Sequence, residues 1–314
     1  MKTWLSQINL FQAAMPSKLS AKKDTQKALD QLFTLTTQYR TSEAYRELLA
    51  FVSRFRFYSP YNAMLVHVQM PGARFVASAS RWLAEHSRRV VPGARPIVIL
   101  QPGGPVMFVF DVSDTEANES APALPQHVTS PFEVRKGSVG RELENTIENA
   151  KRDGIRFAKQ SAGTQSAGSI RLTKSNSTQD FITKRIPTKQ FATVKVRYEL
   201  LVNDALSREA QFVTLVHELA HLYCGHLGTP DPTWWPDRQS VPLPCREFEA
   251  ESVAFLVCER LGIDNPSEAY LHSHLDENGQ VPPISLEAVM TTAGLIESMG
   301  KSRLPMRKPG LKAS

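Results

Sequence analysis

Ten residues, Thr214-Leu215-Val216-His217-Glu218-Leu219-Ala220-His221-Leu222-Tyr223, constrain this chain more than any other stretch, because they set His-Glu-x-x-His inside an uninterrupted helical pattern. Phe212, Leu215, Val216, Leu219 and Leu222 recur at helical spacing, and Gly225 follows as a stop. On such a helix His217 and His221 stand one turn apart on one face, so both imidazoles reach a single cation. That is half of a zinc site. Glu218, beside the first histidine, is placed to take a proton from an activated water and return it to a leaving amine, as a base and not as a ligand.

A catalytic zinc takes three protein ligands and keeps one position open. The stretch Arg246 to Cys258 reads as a second helix and carries Glu247, Glu249 and Glu251 in its first turns. An acidic start that suits the helix dipole accounts for one or two of them. Glu247 and Glu251 lie four apart on the face shared with Ala254 and Cys258, and two carboxylates turned towards a packed interior need a cation or a donor. Glu247 is therefore expected as the third ligand and Glu251 as the outer acceptor that orients a histidine, with Glu249 as the reserve. His226 is read as a helix-end or supporting residue. Zn2+ is the expected metal, although two histidines and a carboxylate also accept Mn2+ or Co2+.

The pattern His217-Glu218-Leu219-Ala220-His221, then Glu247-x-x-Ala250-Glu251-x-x-Ala254, resembles the gluzincin-type site of the ImmA/IrrE metallopeptidases and of the carboxy-terminal domain of ArdC-type antirestriction proteins. The resemblance covers about the last half of the chain. It implies His217, His221 and Glu247 as metal ligands and Glu218 as general base. It departs from the metzincins, since His226 follows His221 by five residues without a Gly-x-x-His spacing.

Upstream, Arg54-Phe55-Arg56-Phe57-Tyr58-Ser59-Pro60-Tyr61-Asn62 interleaves arginines with aromatics. Cations for phosphates and flat rings for unstacked bases are what single-stranded nucleic acid binding uses, yet buried aromatics with solvent-facing arginines would give the same pattern. Arg74, Arg81, Arg88, Arg89 and Arg95 follow, with Glu85 the one acidic side chain between Arg54 and Arg95, and solvated faces normally mix charges. The net charge of +6 and a pI near 9.2 point the same way, weakly. Residues 95–100 and 106–110 read as strands.

Tyr58-Ser59-Pro60-Tyr61-Asn62, Gln69-Met70-Pro71, Arg81-Trp82, Arg88-Arg89-Val90, Gly93 and Phe110-Asp111-Val112 resemble, in order, the single-stranded-DNA-binding amino-terminal domain of ArdC-like proteins. By resemblance the whole chain is ArdC-like, a product of mobile elements that helps single-stranded DNA escape restriction. Arg54, Arg56, Tyr58, Asn62, Gln69, Arg81, Trp82, Arg88 and Arg89 are the residues expected at the DNA.

The expected architecture is α+β in two domains: 1–115 nucleic-acid-binding, 116–135 a polar linker, 136–300 zincin-like, and 301–314 a basic, solvated tail. A segment from Phe191 to Val202 reads as a strand that would present its edge to an extended peptide beside the active site. Trp234-Trp235 would either wall a cleft, stack on a base or plug a seam, and Tyr270, with His272 and His274 behind it, is the candidate for stabilising an oxyanion. Cys224, Cys245 and Cys258 are odd in number and lack CxxC spacing, which fits reduced packing residues. With no run of membrane-spanning length and no signal-peptide core, a cytoplasmic protein is expected. No phosphate-binding glycine loop or Ser-His-Asp arrangement offers a competing chemistry. The expected function is zinc-dependent peptide hydrolysis with single-stranded DNA and an unidentified protein as partners. A DNA-protecting protein with a structural metal, and a repressor-cleaving peptidase, are the alternatives.

Overall fold

The computed structural model describes residues 39, 41–101, 104–118, 121–124, 138–161, 167–174, 176–184, 190–263, 275 and 279–307. These residues form a mixed helix and sheet fold in two compact units, one holding 65–124 and the other 39–64 with 138–307. The division falls inside the helix Pro60–Gln69. Residues 39–64, which the sequence groups with the amino-terminal part, thus belong with the carboxy-terminal part.

The reason lies in their apolar face. Helix α1 (Ser42–Arg54) is capped by the Thr41 hydroxyl on Ala44 N and turns Tyr45, Leu48, Leu49 and Val52 inward, at helical spacing. Tyr45 donates to Ser252 Oγ at 2.8 Å. At the other end the buried Arg260 guanidinium donates to the carbonyls of Val52, Phe55 and Tyr58, at 2.7, 3.1 and 2.7 Å, and pairs with Glu297. Orphan carbonyls past a helix end are thereby satisfied by a cation, the partner the helix dipole favours.

In the first unit β1 (Val76–Ala77), β3 (Ile97–Gln101) and β4 (Gly104–Asp111) form an antiparallel sheet in the order β1-β4-β3, and β2 (Arg88–Val90) pairs with β5 (Thr115–Ala117). The two strands expected near 95–110 are present. The expected linker is not polar coil from its first residue, because Glu116 and Ala117 pair with Arg89 and Arg88. Helix α2 is Pro60–Gln69, and α3 (Ala79–His86), capped by Ser78, lays Trp82 against Phe75 with ring centroids 5.5 Å apart. Asp111, buried between strand and turn, accepts from the backbone N–H groups of Arg74, Phe75 and Ser113.

The second unit holds the sheet β6-β10-β7, made of β6 (Ile155–Gln160), β10 (Tyr198–Asn203) and β7 (Gly168–Leu172), and a separate hairpin of β8 (Thr178–Lys184) with β9 (Gln190–Lys195). The expected single strand Phe191 to Val202 is two strands in two sheets. β10 is central, parallel to β6 and antiparallel to β7, so the edge that the sequence assigned to it belongs to β7. Behind the sheet pack α4 (Glu142–Arg152), α5 (Arg208–Tyr223), α6 (Leu243–Leu261) and α7 (Leu286–Lys301).

The described part of the tail is not free in solvent. Leu304 N donates to Asn149 Oδ1, and Arg307 pairs with Asp153 at 3.0 Å while standing over the rings of Tyr223 and Trp235. A largely buried carboxylate that also accepts from Tyr223 Oη needs a cation, and the tail supplies it. The oxyanion candidate Tyr270, with His272 and His274, lies outside the described residues, as do residues 1–38, 125–137 and 308–314. Among the described residues no helix is long and apolar enough to cross a membrane.

Candidate metal centre

Helix α5 carries the His-Glu-x-x-His stretch, and its burial follows from its sequence. Phe212, Leu215, Val216, Leu219 and Leu222 are each at most 1% exposed, so the helix lies in the middle of the unit with its polar stripe directed at α6. Ser207 caps its start through Ala210 N. At its end Gly225 adopts φ +86°, and a Cβ there would meet Pro236 O at 2.2 Å. Only glycine lets the chain turn that closely. Helix α6 begins on Pro242-Leu243-Pro244, extends to Leu261 and closes on Gly262 at φ +74°.

Across the seam between these helices three side chains converge. His217 Nε2 and His221 Nε2 are 3.1 Å apart, and Glu247 places Oε2 3.6 Å from the first and Oε1 3.6 Å from the second. Donors each about 2 Å from a common ion have this spacing. The three groups are partly buried, with side chains 19, 14 and 31% exposed, which leaves a side open for a further ligand. Glu251 Oε1 is 3.3 Å from His217 Nδ1, on the far side of that ring. The expected ligand trio is therefore brought together, with Glu251 in the expected supporting place. Among the described residues this set fits a metal of the zinc class, neutral imidazoles and one carboxylate being its usual donors.

Glu249, the reserve ligand, faces elsewhere. Its fully buried carboxylate takes both terminal nitrogens of Arg238, the ring of His226 and the backbone N–H of Ser285. Cys224, His226 and Glu249 do bring ligand atoms close together, but the positive charge there is already Arg238. Cys224 instead donates to Thr292 Oγ1, and burial pushes its thiol up to about 12. All three cysteines are free and buried, as packing residues should be.

Glu218 sits one residue from His217 with its side chain against β7. A Cβ at Gly168 would meet Thr214 Cγ2 at 2.5 Å and Glu218 Cγ at 3.7 Å, and the Ile170 backbone donates to the Glu218 carboxylate. Burial raises the Glu218 carboxyl above the ordinary glutamate range, against the pull of His217 and His221. A raised value suits a general base that works near neutral pH. Glu247 is driven the other way, well below the ordinary range, by His217 and His221. Burial pulls His217 down most strongly, but Glu247 and Glu251 outweigh it and hold the metal-free ring at about 10.

Trp235 is buried, donates to Gly228 O and packs on Tyr198 and Tyr223. Trp235 thus packs inside the second unit and matches none of the three places expected for the tryptophan pair.

The residues expected at DNA are dispersed between the two units. In the second, Arg54 is exposed and folds back on Ala50 O, Arg56 donates to Glu259 O, the Tyr58 carbonyl accepts from Arg260, and Asn62 is half-buried. In the first, Trp82 is 0% exposed and donates to Phe110 O, so it has no ring face for a base. Gln69 bridges Val98 N and O, Arg81 pairs with Glu85, Arg88 donates to Thr115, and Arg89 is exposed. The elements sequence reasoning left unassigned are Arg238 and the pairing of His226 with His221, which no local spacing announces.

No family model and no curated protein matches this chain. Among solved structures it is similar to the metal-free crystal structure of the antirestriction ArdC protein from the R388 plasmid, at 13% identity and a TM-score of 0.32, over 78% of this chain and 83% of that one.

Between pH 6.5 and about 10, as at any lower pH, the metal-free His217 ring holds a proton that a bound metal would have to expel. Zinc affinity should therefore climb about tenfold per pH unit through that window and level off above it. Competition titrations from pH 6.5 upward check this, and a flat profile contradicts it.

Proposed function

We propose that this protein is a zinc-dependent peptidase in which His217, His221 and Glu247 hold the metal and Glu218 is the general base. The observation that supports the reading is the meeting of two imidazole nitrogens and one carboxylate 3.1–3.6 Å apart, with a second, raised carboxylate beside them. When bound, zinc supplies a Lewis acid for the carbonyl and lowers the pKa of water to about 7.

The chain's own residues do the rest. Glu218, poised by burial, accepts the water's proton and delivers it to the departing amine. Glu251 accepts from His217 Nδ1 and holds that ring with its Nε2 turned to the centre. Strand β7, at the end of its sheet and beside Glu218, offers backbone groups to an extended peptide, which would add to the sheet as a further strand. The substrate class is thus an extended segment of polypeptide, and the reaction is hydrolysis of an amide.

Glu218→Gln separates this reading from one in which the metal is structural. The variant keeps the ligand set and the side-chain volume and removes the base, so cleavage of a peptide library should fall by about 10²–10⁴ with zinc content unchanged. Unchanged cleavage overturns the assigned role, and loss of zinc together with activity would point to a structural one.

Single-stranded DNA as a partner rests on different ground, the one-signed arginine run, of which Arg74, Arg81, Arg89 and Arg95 are exposed in the first unit, Arg81 in a pair with Glu85; Arg74, Arg89 and Arg95 are the three considered for phosphate. With three phosphate contacts, binding of a labelled single strand should weaken with salt at a log–log slope of about −2, and replacing the three arginines by glutamate should abolish it. Binding that is insensitive to both salt and these changes sinks this part of the proposal.

A further inference from the structure

We propose that His226, anchored by Glu249 and Arg238, is a positioning residue that fixes the ring of His221 with a bare Nε2 facing the metal. The inference deepens the reading of this site as a metal centre and rests on it.

The direction of the hydrogen bonds carries the argument. Arg238 grips Glu249 with both terminal nitrogens, Nη1 to Oε2 at 2.7 Å and Nη2 to Oε1 at 2.6 Å, and Ser285 N donates to Oε1 at 2.8 Å. A carboxylate held by a guanidinium and an amide N–H can only accept. The His226 nitrogen that meets it, Nε2 at 2.8 Å, must therefore carry the hydrogen. His226 is 2% exposed and the charge of Glu249 is already matched by Arg238, so the neutral ring is the form that fits. A neutral imidazole has one N–H, which leaves Nδ1 of His226 as an acceptor. That atom lies 3.0 Å from Nδ1 of His221. His221 then donates from Nδ1, and its Nε2 keeps a lone pair, 3.1 Å from His217 Nε2 and 3.6 Å from Glu247 Oε1. A ligand bound through Nε2 needs this tautomer.

The backbone is built to deliver His226 to that place. Its N–H donates to His221 O, the Arg238 N–H donates to Gly225 O, and Arg238 Nη1 donates to Cys224 O. The turn passes through Gly225 in the left-handed region against Pro236. One arginine thus closes the helix end and sets the charge that orders two rings in series. The two ligand histidines are held differently. His217 leans on a carboxylate that is 15% exposed, whereas behind His221 both His226 and Glu249 are interior, and only Arg238 beyond them is partly exposed.

The test uses the full chain, zinc chloride titrated against a chelating competitor, and the thermal midpoint of the metal-free protein. His226→Leu should bind zinc about 10- to 100-fold more weakly, and His226→Gln, whose side-chain carbonyl still accepts from His221, should recover most of the loss. A folded His226→Leu chain that binds zinc as tightly as the parent overturns the proposal and leaves the metal reading intact. A parent chain that takes up no zinc overturns both. Long-range 1H–15N spectra of the zinc-loaded parent need no variant: a hydrogen on Nε2 of His226 is expected, and a hydrogen on its Nδ1 overturns the proposal even if His226→Leu does not fold.

Discussion

Two imidazoles and a carboxylate facing one another across the seam of α5 and α6 set the terms for the rest of the second unit. Polar groups withdrawn from water must be matched, and the outer nitrogens of the two histidines are. Glu251 takes that of His217 and His226 takes that of His221, while Glu247 faces both inner nitrogens. The same rule then propagates outward. His226 requires Glu249, Glu249 requires Arg238, and Arg238 requires the loop from Gly228 to Pro242 to return directly under the helix end. A site of this kind cannot be made from two helices alone. It needs the connection between them to be as well ordered as they are.

The remaining elements explain why those helices stay in register. Arg260 on α6 closes the end of α1 and pairs with Glu297 on α7, which ties three helices through one guanidinium. Removing one partner from such a buried set typically costs about 3–5 kcal/mol, because the others stay behind without it. On the opposite flank the approach of β7 to α5 is set by Gly168, where the Leu201 carbonyl and the Thr214 methyl leave no space for a side chain. Placement of Glu218 against the edge strand is thus a backbone property.

Much of this was legible in the sequence, for reasons that can be named. The motif helix, its glycine stop, the second helix and the placing of Glu247 and Glu251 on one face of it all follow from helical periodicity, which is local and strong. Strands at 97–101 and 104–111 also announced themselves through alternation and turn residues. Tertiary choices did not. Whether Phe55 and Trp82 are core or binding surface depends on partners far along the chain, here Arg260, which donates to Phe55 O, and Phe110, whose carbonyl accepts from Trp82. Periodicity is the same in both cases. Likewise the split of residues 190–203 between two sheets turns on Val196 and Arg197, which bond to Ser177 and Gly154, and Arg307 docks on Asp153 because a buried carboxylate exists more than a hundred residues earlier. Long-range charge matching leaves no spacing to read.

On the proposed reading one metal ion sits between α5 and α6 on His217, His221 and Glu247. Diffraction from zinc-loaded crystals, recorded on either side of the zinc absorption edge, tests it most directly. A single strong anomalous peak is expected about 2.0–2.2 Å from Nε2 of each histidine and from a Glu247 oxygen, with Glu218 near it but unbound. A peak beside Cys224, His226 and Glu249 instead, or no peak between the two helices, would contradict it.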